Sequence, residues 1–171
     1  TFYPVARLAV AAPRYAGIFP QLGSFESSWE LVYWRSNYGS QIQRIRDIAL
    51  EGVWSLEVMC PPYAYPGTRV SDFPKDWSAY NTLRFGVYNP ATDTLELHLR
   101  IDNEMKATPC IHSFYRSYSI YPGWNRRSLH TEDITQAIGC APRSIRSCIF
   151  FLRRPKRTIT FYLDDVRLSK E

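Results

Sequence analysis

Polar and apolar side chains alternate along residues 95–102. Leucines and an isoleucine occupy the odd positions, and Glu96, His98, Arg100 and Asp102 occupy the even ones. A period of two is typical of a β-strand with one buried side and one solvent-facing side. An arginine and an aspartate on the solvent-facing side can form paired hydrogen bonds with vicinal hydroxyls of a sugar. The alternative is a solvated ion-pair ladder, in which each pair contributes about 0–1 kcal/mol.

A second segment is expected to extend this polar face. Residues 83–88 also alternate, and the turn at residues 89–93 predicts an antiparallel hairpin between the two segments. Strands that follow would add further side chains if they join the same sheet. The predicted face then comprises Arg84, Tyr88, Glu96, His98, Arg100, Asp102, Tyr115, Phe151 and Arg153.

Aromatic residues outside the predicted strands are a second set of candidates. Trp34, Tyr38, Tyr63 and Tyr65 fall in predicted loops, where a ring could stack on the apolar face of a sugar. Packing into the core is the alternative role. Single-stranded nucleic acid also stacks on aromatic rings, so these residues alone do not distinguish the two ligands.

The sequence contains no arrangement that predicts catalysis. Glu96 and Asp102 would stand about 20 Å apart along one strand, whereas the paired carboxylates of glycosidases stand about 5–9.5 Å apart. Cys110 and His112 are close in sequence, but no acid is placed to orient them. G-x-S-x-G, H-E-x-x-H and glycine-rich phosphate loops are absent from the sequence. We therefore expect a binding protein and no enzyme.

Short β-rich runs between glycine and proline residues predict the elements that must position these side chains. Strands are expected at residues 55–60, 83–88, 95–102, 113–120, 145–153 and 158–168. A short helix is expected at residues 131–134, with Thr131 as its N-cap and Gly139 beyond its end, and residues 5–12 could form another. The pattern predicts an all-β fold, a two-sheet antiparallel β-sandwich with one or two short helices.

Size, charge and cysteine content are consistent with this interpretation. The chain has 171 residues, 45% of them hydrophobic, which suits one domain. The apolar stretch at residues 5–12 is too short to span a membrane. The net charge is +5, and the cluster Arg153, Arg154, Lys156 and Arg157 could contact phosphates or anionic sugars, or form a solvated strand end.

The four cysteines allow three disulfide pairings. We expect Cys110 to pair with Cys140, since both lie in proline-containing loop segments. Cys60 and Cys148 occupy predicted strand positions that are typical of buried thiols.

Several motifs in a fixed order resemble a bacterial family of galactose-binding-like jelly rolls, related to the carbohydrate-binding modules attached to glycoside hydrolases. The resemblance covers residues 23–168. Its pieces are Ser24-Phe25-Glu26, residues 51–58 (EGVWSLEV), Tyr65-Pro66-Gly67, residues 76–80 (DWSAY), Val87-Tyr88-Asn89-Pro90, residues 99–102 (LRID), Pro122-Gly123-Trp124-Asn125 and residues 162–166 (YLDDV).

The resemblance implies a jelly-roll domain at residues 23–171, preceded by an extension or linker at residues 1–22. It implies a carbohydrate partner and a location outside the cytoplasmic membrane. Similar domains are fused to enzymes or to membrane proteins of the VanZ type, and we expect a targeting or membrane portion before Thr1. A protein-interaction or assembly module without sugar affinity is the alternative; nucleic acid is not the expected partner.

The resemblance also implies a structural calcium ion. Glu26 and either Asp164 or Asp165 occupy the positions of its carboxylate ligands, and oxygen ligands suit calcium. Ser24 stands where the family often has an aspartate, which removes one carboxylate. Asp165 could instead be a turn residue that accepts backbone hydrogen bonds.

Overall fold

Two antiparallel sheets form the fold in a computed structural model that describes residues 16–104 and 112–171. The strands in this part of the chain are β1 (Gln21–Gly23), β2 (Trp34–Asn37), β3 (Gln41–Ile45), β4 (Ser55–Cys60), β5 (Gly67–Ser71), β6 (Thr82–Asn89), β7 (Leu95–Asn103), β8 (Ser113–Ile120), β9 (Gly123–His130), β10 (Ile145–Phe151) and β11 (Ile159–Ser169). The first sheet has the order β3-β4-β11-β6-β9, with β1 also paired to β11. The second sheet has the order β2-β5-β10-β7-β8. The predicted two-sheet sandwich is confirmed.

Helical structure is brief, as predicted. A 3-10 turn spans Ser28–Val32, and the helix α1 spans Thr131–Ile138. Gly139 ends α1 with a φ of 75°, a left-handed conformation that glycine adopts at little cost. The N-cap is His130 and not Thr131, because Thr131 is already helical and its hydroxyl donates to the carbonyl of Tyr80 at 2.6 Å.

Aromatic and aliphatic side chains from both sheets fill the space between them. Phe150 of β10 stacks on Trp34 of β2, with ring centroids 6.2 Å apart, and meets the edge of Phe85 from β6 at 5.2 Å. All three rings are buried. The leucines of β7 face the same interior, so the alternation predicted for residues 95–102 is confirmed.

The predicted hairpin between residues 83–88 and 95–102 is wrong. Strand β6 pairs with β9 and β11, whereas β7 pairs with β8 and β10. The turn between them carries the chain from one sheet to the other. The side-chain amide of Asn89 secures this crossing by donating to the carbonyls of Asp93 and Ile120. Both strands therefore direct their apolar sides into the core from opposite sheets.

The folded unit begins before the predicted boundary at residue 23. Leu22 in β1 is fully buried, and Gln21 pairs with Arg167 of β11. The carbonyl of Pro20 accepts a hydrogen bond from the amide of Leu168. Residues assigned to the extension thus contribute to the first sheet. The possible helix at residues 5–12 lies outside the described residues.

The cysteines differ in chemical state. Cys60 and Cys148 are buried free thiols, and burial raises the pKa of both, that of Cys60 to about 12. Both therefore remain protonated at neutral pH. Cys140 is disulfide-bonded. Its predicted partner Cys110 lies outside the described residues.

Two neighbouring residues of β10 provide a matched test of this packing. We expect Phe150→Ala to lower the free energy of unfolding by about 3–5 kcal/mol, because it opens a cavity between the two sheets. Ile149→Ala, which truncates a side chain on the outer face, should cost distinctly less. Urea unfolding of both variants measures the difference, and equal losses would contradict the inward placement of Phe150.

Candidate functional site

A groove of about 700 Å³ lies on the outer face of the second sheet. Its floor is formed by β7, β8 and β10, and the segments that follow β2 and precede β5 form one side. The lining residues are Asn37, Tyr38, Tyr65, Glu96, His98, Arg100, Tyr115, Arg116, Ser117, Ile149, Phe151 and Arg153. Most of the predicted polar face is therefore brought together in one groove.

Strand register explains why these side chains share a face. Arg100 of β7 is directly opposite Tyr115 of β8 on one side and Ile149 of β10 on the other. His98 is likewise opposite Phe151. Directly paired residues in antiparallel strands point to the same side of a sheet. The next strand places Gly67 opposite Phe151, where a Cβ would stand only 2.8 Å from the Phe151 Cβ, so the close approach of the two strands requires glycine.

Aromatic rings form a continuous series along the groove. Tyr38 contacts Tyr65 edge-on at 5.9 Å between ring centroids, and Tyr65 contacts Phe151 in the same manner at 6.0 Å. His98 stacks on Phe151 at 5.3 Å. Tyr38 and Tyr115 are 59% and 60% exposed, so their faces are open to a ligand.

Asp102 positions Arg100 instead of lining the groove. Its carboxylate accepts hydrogen bonds from Arg100 Nε at 2.5 Å, from the Ser113 hydroxyl at 2.8 Å and from the Ser147 hydroxyl at 3.2 Å. Burial opposes the charge on Arg100, but the hydrogen bond and charge of Asp102 outweigh it and raise the pKa of Arg100. The guanidinium is therefore held as a fixed cation, 5.5 Å from the centre of the Tyr115 ring.

His98 gives the floor a neutral polar group. Burial lowers the pKa of His98 from its ordinary value of 6.5; the charge of Glu96 raises it, and that of Arg153 lowers it further. The imidazole is therefore uncharged at neutral pH, and it can both donate and accept a hydrogen bond.

Four predicted ligand residues lie elsewhere. Arg84 and Tyr88 belong to β6 in the first sheet, because the chain changes sheets at Asn89. Arg84 forms an ion pair with Glu171, and Tyr88 packs against Trp124 and Tyr162. Trp34 is 2% exposed, and its indole donates to the carbonyl of Leu22, so it is a core residue. Tyr63 is exposed but packs beside Gly39 and does not line the groove.

Two arginines on the far side of this face were not predicted from the sequence. Arg35 in β2 is directly opposite Arg69 in β5, and Arg69 is directly opposite Ile149. Both arginines therefore share the face that carries the groove. The signal in the sequence was that each arginine is next to a large apolar residue, Trp34 or Val70. Both of these residues are buried, so the arginines beside them face outward.

Comparison with known proteins identifies the fold. No family model and no curated protein matches the chain. The family 11 carbohydrate-binding module from Clostridium thermocellum, solved with a β-1,3-1,4-mixed-linked tetrasaccharide, is similar with a TM-score of 0.65 and 17% identity over 87% of this chain and 94% of that one. The chain has the jelly-roll sandwich fold of carbohydrate-binding modules.

Two similar structures come from enzymes. An exo-β-agarase has a TM-score of 0.70 and 14% identity, over 88% of this chain but 25% of the agarase. The CBM22-1 and GH10 modules of Clostridium thermocellum xylanase 10B, solved with xylohexaose, have a TM-score of 0.60 and 14% identity, over 81% of this chain and 26% of that one. This chain thus spans about a quarter of each of these two proteins. None of these three neighbours is described as a VanZ-type membrane protein, and they give the predicted link no support.

The described helices were compared with the length and hydrophobicity of a membrane-spanning helix. Among the helices in residues 16–104 and 112–171, none has both the length and the apolar character needed to cross a membrane.

The predicted calcium ligands lie around one small cleft, but backbone amides already donate to one oxygen of Glu26 and to both oxygens of Asp164. Glu26 Oε1 accepts from the amides of Val53 and Trp54, both at 2.9 Å. Asp164 Oδ2 accepts from the amides of Leu50 and Glu51 at 2.7 and 3.0 Å, and its Oδ1 accepts from Asp165 at 2.7 Å.

This arrangement leaves few carboxylate oxygens free for a calcium ion. Asp165 also faces Arg167, with 3.4 Å between Oδ1 and Nε. Within the described part of the chain, no three acidic, histidine or cysteine side chains are grouped as metal ligands. The carboxylates of Glu26 and Asp164 instead anchor the loop between β3 and β4, and calcium binding stays a prediction from the resemblance.

Glu26 gives a test that separates these roles. We expect Glu26→Ala to lower the free energy of unfolding by about 1 kcal/mol, because two amides lose their acceptor, and Glu26→Gln to cost less because its amide oxygen can still accept. Millimolar calcium should leave the melting temperature of the native protein unchanged. A calcium-induced rise that disappears in Glu26→Gln would instead establish a cation site.

Asp164 predicts a pH dependence of stability. Burial raises its pKa from 3.8 to about 6, although three amide hydrogen bonds lower it. The folded state therefore binds this proton more tightly than the unfolded state. Stability from Asp164 is fully present below pH 3.8 and is lost as the pH rises through about 6. The total loss is about 3 kcal/mol.

Urea unfolding between these pH values measures the effect. Asp164→Asn remains neutral throughout, so the variant should lack this part of the decrease that the native protein shows. Parallel pH profiles for the two proteins would contradict the raised pKa.

Proposed function

We propose that this chain is a non-catalytic carbohydrate-binding module that holds a glycan or polysaccharide in the groove of the second sheet. The observation that carries the proposal is the combination, in one open groove, of exposed aromatic rings with fixed hydrogen-bonding side chains. Sugar recognition needs both features, because a pyranose ring has an apolar face and a polar rim of hydroxyl groups.

The aromatic side chains provide the stacking surface. Tyr65 lies between Tyr38 and Phe151 in edge-on contacts, so its ring is held in place before a ligand arrives. Tyr115 stands at the opposite side of the floor, beside Arg100. Rings fixed in this way lose little conformational entropy on binding.

The polar groups provide orientation. The Arg100 guanidinium is immobilised by Asp102, while the neutral His98 imidazole and the Ser117 hydroxyl line the floor beside it. Arginine donates from a planar fork that can reach two neighbouring hydroxyl oxygens. The groove thus offers donors at fixed positions next to its rings.

The similar structures are consistent with this proposal, since one was solved with a tetrasaccharide and another with xylohexaose. Modules with this fold also occur within larger enzymes, as in the agarase and the xylanase. We accordingly propose that this chain acts outside the cytoplasmic membrane, attached to an enzyme in a longer protein.

The alternative, an assembly module, would present a broad apolar patch and have no sugar affinity. In the described residues, five of the seven exposed large apolar side chains are tyrosines, namely Tyr38, Tyr63, Tyr65, Tyr115 and Tyr121, and three of these line the groove. Tyrosine joins an apolar ring to a hydroxyl group, which suits a sugar better than an aliphatic patch does.

Two tyrosine substitutions test the groove. On a glycan array and in affinity electrophoresis, we expect the native protein to bind at least one polysaccharide. Tyr65→Ala and Tyr115→Ala should each weaken that binding about tenfold through loss of a stacking surface.

Tyr63→Ala is the matched control, because Tyr63 is as exposed as Tyr115 but lies outside the groove. It should bind normally. An equal loss of binding in all three variants would show that the binding site is not in the groove. Failure of the native protein to bind any glycan would overturn the proposed function in favour of the assembly role.

A further inference from the structure

We propose that the groove selects an anionic glycan, one that carries carboxylate or sulfate groups, and that a row of arginines across the second sheet provides this selectivity. The inference rests on the proposed function and specifies the class of its ligand. The observation that carries it is an excess of unneutralised guanidinium groups on the face that holds the groove.

The arginines are aligned by strand register. Arg35 of β2 is opposite Arg69 of β5, Arg69 is opposite Ile149 of β10, and Ile149 is opposite Arg100 of β7. Neighbouring strands lie about 4.8 Å apart, so one row across the sheet presents three cations within roughly 15 Å. Arg153 lines the groove beyond the end of β10.

Carboxylates do not balance these charges. All 16 aspartate and glutamate residues of the chain fall within the described residues, so no further acidic side chain of the chain is left to neutralise these arginines. On this face, Asp102 is paired with Arg100, and Glu96 stands 3.9 Å from His98. In the described structure, no carboxylate forms an ion pair with Arg35, Arg69 or Arg153.

Arg69 shows the most unusual environment of this row. Its Nε is buried, and among the described residues it has no hydrogen-bond partner. Its direct neighbour across the strands is another cation, Arg35. Like charges directly opposite each other destabilise an antiparallel pair. An anion bound between the two guanidinium groups would relieve the repulsion and supply the missing acceptor.

Positive charge continues beyond the groove. Arg153 is followed by Arg154, Lys156 and Arg157, all of them exposed. The charge of Arg153 also reaches the floor, where it lowers the pKa of His98. A polymer with repeated negative charges could therefore extend from the groove across this basic segment.

The chemistry of arginine selects among anions. Its planar fork matches the two oxygens of a carboxylate or a sulfate in a bidentate hydrogen-bonded pair. Single-stranded nucleic acid is also an anion with stackable rings. The glycan is favoured because two of the structures similar to this chain were solved with a tetrasaccharide and with xylohexaose, and binding of nucleic acid is an outcome of the test.

Matched polysaccharides test the inference, since the members of each pair share a sugar backbone and differ in the charged group. The probes are dextran sulfate against dextran, and polygalacturonate against its methyl ester. Mixed-linkage β-glucan, xylan and agarose serve as a neutral panel. We expect the native protein to bind at least one charged polysaccharide about tenfold or more tightly than its neutral counterpart. Preference within the dextran pair would identify sulfate as the recognised group, and preference within the polygalacturonate pair would identify carboxylate.

Charge removal on the two sheets provides matched variants. Arg35→Gln combined with Arg69→Gln should weaken binding to the charged probe at least tenfold and leave the affinity for a neutral probe nearly unchanged. Arg84→Gln combined with Arg126→Gln is the control, because it removes the same number of charges from the first sheet. It should bind as the native protein does. Circular dichroism verifies that each variant is folded.

The outcomes separate this inference from the proposed function. Binding of neutral and charged probes with equal affinity would overturn the inference and leave the proposed function intact. Equal losses in the two double variants would show that the effect comes from overall charge and would overturn the inference as well. Tighter binding of poly(dT) than of any glycan would overturn both, as would binding of no probe at all.

Discussion

Packing of Phe150 against Trp34 and Phe85 is the constraint on which the rest of the structure depends. This contact joins β10 and β2 of one sheet to β6 of the other, and it fixes which side of β10 faces the core. Because successive side chains of a strand point to opposite sides, Ile149 and Phe151 must then face outward. Their direct partners on β7 and β5 face outward with them. The groove is thus a consequence of how the interior is filled.

The alternation of polar and apolar residues was sufficient to predict which side chains face the core, but not which strands pair with each other. The alternation in residues 95–102 correctly separates Leu97 and Leu99 from His98 and Arg100, since the period of two is a property of each strand alone. Pairing depends on contacts between distant segments. A short turn normally closes a hairpin, yet here Asn89 helps to carry the chain between sheets, and this displaced Arg84 and Tyr88 from the predicted face.

The floor of the candidate site was predictable where its strands were, and Tyr38 and Tyr65 were candidates from predicted loops. Alternation or composition predicted the strands that carry most of the groove's side chains. These side chains are Glu96, His98, Arg100, Tyr115 and Phe151, with Arg153 just after the end of β10. Arg35 and Arg69 lie on β2 and β5, which have four and five residues and too few alternations to detect. Aromatic residues were ambiguous for a different reason. A tryptophan in the core and a tyrosine on a rim have similar surroundings in sequence, and the tertiary contacts alone placed Trp34 inside and Tyr65 outside.

The second sheet holds like charges close together on a rigid scaffold, which lowers its stability. Its arginines are held on paired strands, so Arg35 and Arg69 cannot move far apart to reduce their repulsion, and the buried Nε of Arg69 is cut off from solvent as well. A protein tolerates such features when its core supplies enough stability, and the aromatic contacts between the sheets fulfil that condition. Features that cost stability and persist on one face are typical of binding sites, because a ligand recovers the cost on association. The same reasoning explains why Asp102, with three hydrogen bonds, lies behind Arg100: it fixes one cation in place, while the cations beside it remain available to a ligand.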